Sequence, residues 1–286
     1  MRTFKVSPIL FVMKKILFPT DFSNASLNAF AYALDLADAA GAEIITLHVY
    51  QLPVIDYDGV PPYLLETYDV FELGSFENFR DQVPLLRDAA ESRNKQHVPV
   101  RNVLLEGDLV LAIKDLVREE VIDMIVMGTK GASGLEEMFL GTTTARVMEA
   151  VDVAVLAIPE AAQYQAIKKI GFATELHDDD RHRLERIVTL AKSLGAGVEC
   201  LHVQNHKSQA SEVLIADWEL LFRDRVSFRI VEQEDVEQAI LDFCGIEGID
   251  IMAMVQHRRG FFEGLFHQSR TKQLAYHSKV PLLVLK

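Results

Sequence analysis

The chain repeats itself, and a repeat of this length fixes most of what it can fold into. Lys14–Val49 aligns without a gap on Lys168–Val203 at an offset of 154. KKILFPTD meets KKIGFATE, GAEIITLHV meets GAGVECLHV, and His48 falls on His202. Glu106–Ile158 then aligns on Gln233–Leu285 at an offset of 127, with VIDMIVM on GIDIMAM and DVAVLAI on KVPLLVL. The drop in offset, 154 minus 127, predicts a 27-residue shortening between the second and third strands of the second half. A self-match of this kind means two copies of one supersecondary plan. The predicted domains are residues 13–159 and 167–286.

Each copy alternates short apolar runs with amphipathic segments. Ile16–Phe18 is a buried-strand pattern ended by Pro19-Thr20-Asp21. Ser23 and Ser26 are candidate caps for a helix with Leu27, Phe30, Ala31 and Leu34 on one face, ending near Gly41. Glu43–Val49 and Val98–Leu105 are the next strands, and Leu109–Glu120 is a helix. Residues 50–77 carry five Pro or Gly positions among aromatics and predict a long connection, a flap over the sheet edge, while Pro84 obscures where a helix through Phe79–Lys95 begins. Strands this apolar, alternating with helices, predict an α/β fold: two tandem Rossmann-like domains, each an open, mostly parallel five-stranded sheet covered on both faces. An uncovered edge strand is a liability. Val153–Ile158 and Val280–Leu285 close the two halves, so the expectation is that they pair with each other about a pseudo-twofold axis.

A formal net charge of −13 argues against a broad nucleic-acid surface. Residues 1–12 hold an apolar patch too short to span a membrane, and it lacks the pattern of a cleaved leader. Cys200 and Cys244 have no CxxC spacing, which points away from a disulfide framework or a cysteine zinc site and toward a reducing, cytoplasmic setting.

The stretch from Ile122 to Ile158 carries the chemistry. An apolar run, Met124–Met127, breaks at Gly128; Thr129 and Gly131 follow, and Gly141 precedes Thr142, Thr143 and Thr144 where a helix begins. Gly128 lets the backbone turn sharply and a ligand approach closely. Gly131 permits a further N–H to enter the same concavity. The helix start beyond Gly141 supplies unpaired amides and the positive end of a dipole, and the threonines add hydroxyls. Backbone amides arranged in this way suit a di- or triphosphate.

The spacing G-x2-G-x9-G-[S/T], met by Gly128, Gly131, Gly141 and Thr142, resembles that of the ATP-binding members of the universal stress protein family. The resemblance covers both halves, and Pro19-Thr20-Asp21 matches the family's first-strand turn. It implies ATP or another adenine nucleotide as ligand, with Asp21 near the ribose or a nucleotide-bound Mg²⁺, Val49 near the adenine, and Met127 preceding the first glycine. It also implies dimer-like pairing through the last strands, and a regulatory role in stress response with a protein partner the sequence does not name.

The second copy departs from this pattern. Gly128 becomes Val255, Gly131 becomes Arg258, Gly141 becomes Gln268 and Asp21 becomes Glu175; only Thr174 and Ser269 keep their chemistry. Side chains at those positions occupy the space a phosphate cradle requires, so one competent site per chain is expected. The His257-Arg258-Arg259 cluster fits a solvated basic loop. His48 and His202 fit strand-end packing, Asp178-Asp179-Asp180 fits capping and dipole complementation at a helix start, and Trp218 fits helix packing. No nucleophile–base pair stands beside the glycine loop, so no catalytic residue is assigned and the expected function is binding, with at most weak hydrolysis. Two alternatives stay open: a nucleotide-free interaction scaffold, and an adenylyl-transferring enzyme on the same fold, although FPTDFSNAS lacks the latter's serine–glycine pyrophosphate loop.

Overall fold

Among the described residues, ten strands form one sheet in the order β3-β2-β1-β4-β5-β10-β9-β6-β7-β8. The structure, a computed structural model, describes residues 13–52, 62–129, 142–177, 179–205, 212–256 and 279–286. In the first half β1 (Lys15–Pro19), α1 (Asn24–Ala40), β2 (Glu43–Tyr50), α2 (Pro62–Ser92), β3 (Val100–Glu106), α3 (Leu109–Glu119), β4 (Met124–Gly128), α4 (Thr142–Ala150) and β5 (Ala154–Ile158) follow in order. The second half gives β6 (Lys169–Ala173), α5 (Asp180–Leu194), β7 (Gly197–Gln204), α6 (Glu212–Phe222), β8 (Val226–Glu232), α7 (Val236–Glu247), β9 (Ile251–Val255) and β10 (Leu282–Leu285). All pairings within a half are parallel. The halves meet antiparallel, β5 on β10, and each last strand protects the other's edge as expected. Leu156 pairs with Leu283, its own counterpart at offset 127, so the pseudo-twofold axis passes between them.

Successive residues along a strand point to opposite faces, which separates two cores. Ile16, Phe18, Met124 and Val126 pack beneath α1 and α2, while Leu17, Ile125 and Met127 pack beneath α3 and α4. Each cluster runs without interruption into the second half, so the sheet carries one continuous layer of apolar contacts per face. Cys200 belongs to one layer and Cys244 to the other, both thiols are free, and burial pushes Cys244 up to about 12. Trp218 lies buried on α6, edge-on to Phe228.

Three expectations need correction. The connection after β2 is mostly helix: α2 begins at Pro62 and runs unbroken through Pro84. A mid-helix proline removes one intrahelical bond. Beyond it Leu86 and Ala90 are nonetheless buried, and Phe79 packs on the same core before it, so tertiary contacts carry the helix across the gap. The proposed flap therefore reduces to residues 53–61, which lie outside the described residues. The shortening also differs by one residue. Ile44 pairs with Val100 and Val198 with Val226, so the third strands are related by 126 and the second half is 28 residues shorter before β8 (154 minus 126). One residue returns in the loop before α7, where Asp235 caps the helix as Asp108 caps α3. The third correction concerns Asp180. It stands in the first turn of α5, where its charge complements the helix dipole, but it is fully buried and accepts a hydrogen bond from Thr174 at 2.8 Å, so it ties the helix start to the turn and is no solvent-exposed cap. Asp179 makes no side-chain cap bond, and Asp178 lies outside the described residues.

Gly171 stands where the first half has Leu17. A Cβ there would lie 2.7 Å from Met252 Sδ and about as tightly against Ile249 and Phe243 at 3.1 and 3.2 Å. Met252, Ile249 and Phe243 together close the space a side chain would need. Gly171→Ala is expected to destabilise the protein by about 1–2 kcal/mol through overpacking, read as a lower urea midpoint at unchanged slope.

At the other end of the sheet Lys95 and His97 both bond the Asp38 carboxylate on α1. These bonds hold its pKa below the usual carboxylate range. A depressed pKa contributes stability that is present above the unfolded-state pKa and is lost as pH falls through the folded one. Asp38→Asn should therefore lower stability at neutral pH, and the difference from wild type should close as pH falls through the acid range, measured as urea midpoints. A constant difference at every pH would refute the linkage.

Candidate functional site

The sheet order places a crevice between β1 and β4. From β1 the chain leaves toward β2, and from β4 toward β5 on the opposite side, so the loops diverge above the strand ends. In open α/β sheets such a switch point is where ligands bind.

The β1 side is a tightly bonded turn. Thr20 N donates to Leu47 O, extending the ladder one residue past Pro19. Thr20 Oγ1 then accepts from Phe22 N at 3.0 Å and shares a 2.7 Å bond with Ser26 Oγ, while Asp21 Oδ1 accepts from Ser23 N at 3.0 Å. These bonds hold Phe22 at φ 58, a left-handed conformation uncommon outside glycine. Ser23, not Ser26, caps α1, accepting from Ser26 N. Beneath the turn His48 Nδ1 donates to Thr20 O at 2.8 Å, and its ring stacks on Phe79 and touches Phe22. Sequence reasoning read His48 as packing alone. The structure gives it a positioning role for this turn, signalled in the sequence by the same residue at the same place in both halves.

The β4 side is anchored at both ends of the glycine loop. Thr129 N donates to Ile158 O, so its amide belongs to the sheet. Thr144 Oγ1 donates to the Gly128 carbonyl at 2.9 Å and is buried, fastening the first turn of α4 to the end of β4. That bond commits the Thr144 hydroxyl hydrogen to the scaffold; Thr143 is half-buried beside it. The first turn of α4 carries no acidic residue, which leaves its positive end uncompensated by a side chain. Gly131 and Gly141 fall within 130–141, outside the described residues.

The structure thus brings Pro19, Thr20 and Asp21 into one rim of the crevice and Gly128, Thr129 and the start of α4 at Thr142 into the other. Asp21 is exposed on its rim. Val49 sits at the end of β2, partly exposed and paired with Leu105, on the far side of β1 from Gly128. The Met127 side chain is buried in the α3–α4 layer, so only its backbone faces the crevice end. Among the described residues no group of three His, Cys, Asp or Glu could hold a metal ion, so an Mg²⁺ at Asp21 would have to arrive with a nucleotide.

The second half repeats the turn and alters the cradle. Thr174 N donates to Leu201 O, Thr174 Oγ1 accepts from Leu176 N, Leu176 has φ 59, and His202 Nδ1 donates to Thr174 O at 3.0 Å. Glu175, in the place of Asp21, bonds His177 at 2.9 Å. The threonine turn is therefore part of the fold and cannot by itself signal a ligand. What differs is the end of the fourth strand. Gly128 is half-buried with no side chain, whereas Val255 at the same sheet position is fully buried in the core.

Comparison with known proteins follows the same lines. The sequence model of the universal stress protein family matches residues 13–159, just over half of the chain. A universal stress protein of Methanocaldococcus jannaschii is 32% identical over 146 residues, covering 51% of this chain and 81% of that relative. The crystal structure of a universal stress protein from Archaeoglobus fulgidus superimposes over 97% of this chain and 98% of its own at TM-score 0.71 with 19% identity. A Pseudomonas aeruginosa structure covers 96% of this chain and 93% of its own at TM-score 0.61 with 13% identity. These two likenesses speak for the fold, both halves included.

Proposed function

Because the chain belongs to the universal stress protein family, we propose that it binds one adenine nucleotide, ATP or a close analogue, in the β1–β4 crevice of its first half and acts as a regulator in stress response. The observation that carries this reading is the exchange of Gly128 for a core valine in the duplicate. Two copies of one fold were free to keep the same residue at this strand end. The first leaves this strand end without a side chain, and the second places a fully buried valine there. In the proposed complex the Gly128–Gly141 segment presents amides to the phosphates and the α4 terminus offsets their charge. Asp21 faces the ribose or nucleotide-bound Mg²⁺, and Val49 borders the base.

The reading assigns binding without efficient turnover. No helix among the described residues is long and apolar enough to cross a membrane. A cytoplasmic setting is the proposal that best suits two buried free thiols. The test is the nucleotide content of protein purified without added ligand, read by mass spectrometry after denaturation, followed by calorimetry with ATP, ADP and AMP. About one adenine nucleotide per chain is expected. Protein that carries none, and gives no heat with any of the three, would leave the interaction-scaffold reading in its place.

A further inference from the structure

A polyphosphate in the β1–β4 crevice would meet one cation on the described rims. Across residues 19–26, 128–129 and 142–150, Arg146 is the single Lys or Arg, in a chain of formal net charge −13. It stands one turn into α4, four residues after Thr142. Side chains on a helix lean toward its N-terminus, which carries the guanidinium back to the level of the first turn. Its observed partner fixes that level independently. Arg146 reaches the Asp108 carboxylate at 3.4 Å, and Asp108 is the N-cap of α3, two residues beyond the end of β3. The guanidinium therefore lies at the C-terminal edge of the sheet, where the crevice opens, between the N-termini of α3 and α4.

Asp108 holds Arg146 only loosely. Its Oδ1 is committed to the Val110 and Leu111 amides at 2.9 and 3.0 Å, which leaves Oδ2 for the guanidinium. A charge-assisted bond closes to about 2.7–2.9 Å, so 3.4 Å is long for one. The two side chains are 60% and 40% exposed, and an ion pair in that setting contributes little to stability and costs little to open. Such a pair orients a cation without tying it down, and a phosphate offers the planar guanidinium two oxygens at once. The duplicate separates the cap from the cation. Asp235 caps α7 as Asp108 caps α3, whereas Arg146 becomes Gln273 in the half that also has Val255 for Gly128. Capping is thus kept by both halves, and the cation at this position only by the half with the glycines. We propose that Arg146 exchanges Asp108 for the outer phosphates of the nucleotide, and so makes the site prefer a triphosphate to a monophosphate. The inference rests on the β1–β4 crevice being the nucleotide site.

Titration calorimetry with ATP and with AMP, on wild type, Arg146→Gln and Arg146→Lys, tests this. Loss of one charge-assisted bond at an exposed site weakens binding about tenfold. Arg146→Gln, which installs the residue of the duplicate, should therefore lower the ratio of ATP to AMP affinity about tenfold. Arg146→Lys keeps the charge without the fork and should bring the ratio back to within about threefold of wild type. If Arg146 only braced α4, its loss would weaken both nucleotides alike or lower the urea midpoint, and the ratio would stay where it was. An unchanged ratio in Arg146→Gln overturns the proposal while the crevice assignment stands. A wild type that binds neither nucleotide overturns both.

Discussion

Gly128→Val is expected to lower the affinity for ATP at least about a hundredfold, or about 2.7 kcal/mol, while leaving the fold intact. The second half supplies the control for folding, since Val255 occupies the same strand end, paired with the last strand as Gly128 is, and lies fully in the core. The added isopropyl group would fill the space beside the amides that the phosphates need, and a backbone cradle has no rotamer by which to move aside. Titration calorimetry gives the affinity and a urea curve gives the stability. Wild-type affinity in a folded Gly128→Val protein would remove the crevice as the site. The reverse change, Val255→Gly, should create no binding, because Arg258 and Gln268 still occupy the other two glycine positions.

Leu283→Pro is expected to cost about 4 kcal/mol or more, enough to abolish cooperative unfolding of the chain as one unit. Leu283 is 1% exposed in β10, between β5 on one side and β9 on the other. Proline there deletes a ladder donor, strains the strand and empties a core position on the axis relating the two halves. A proline is tolerated in sheets only at edges and bulges, and β10 would be such an edge if the halves did not share a sheet. A loss below about 1 kcal/mol in chemical denaturation would therefore mean that the β5–β10 seam contributes little.

How much of this was legible beforehand differs from residue to residue. The alternation of apolar runs and helical faces exposed nearly every strand, because a strand buried on both faces leaves an unbroken apolar signature. The pairing of the last strands was legible for a related reason: two apolar edges in one chain have few other ways to be covered. The length of α2 was hidden, since Pro84 and the prolines before it are local signals of interruption, whereas the contacts of Phe79, Leu86 and Ala90 that override them are remote in sequence. Asp180 was misread for the same reason. A carboxylate at a helix start looks like a cap until Thr174, six residues earlier, is seen to point its hydroxyl at it.

The candidate site divides in the same way. Its glycine and threonine spacing is a statement about backbone freedom and could be read from the letters alone, as could its loss in the duplicate. The letters could not say which of those groups have other work. The Thr129 amide belongs to the sheet, the Thr144 hydroxyl holds Gly128, and His48 locks the turn at Thr20. By itself the sequence determined the duplication, the parallel α/β plan and the position of the one glycine-bearing strand end, since these follow from local periodicity and from residues that lack side chains. Only the tertiary structure decided the register of the seam between the halves, the reach of α2 and which hydrogen-bonding groups are already committed. Those depend on partners brought together from distant positions, and no local pattern records them.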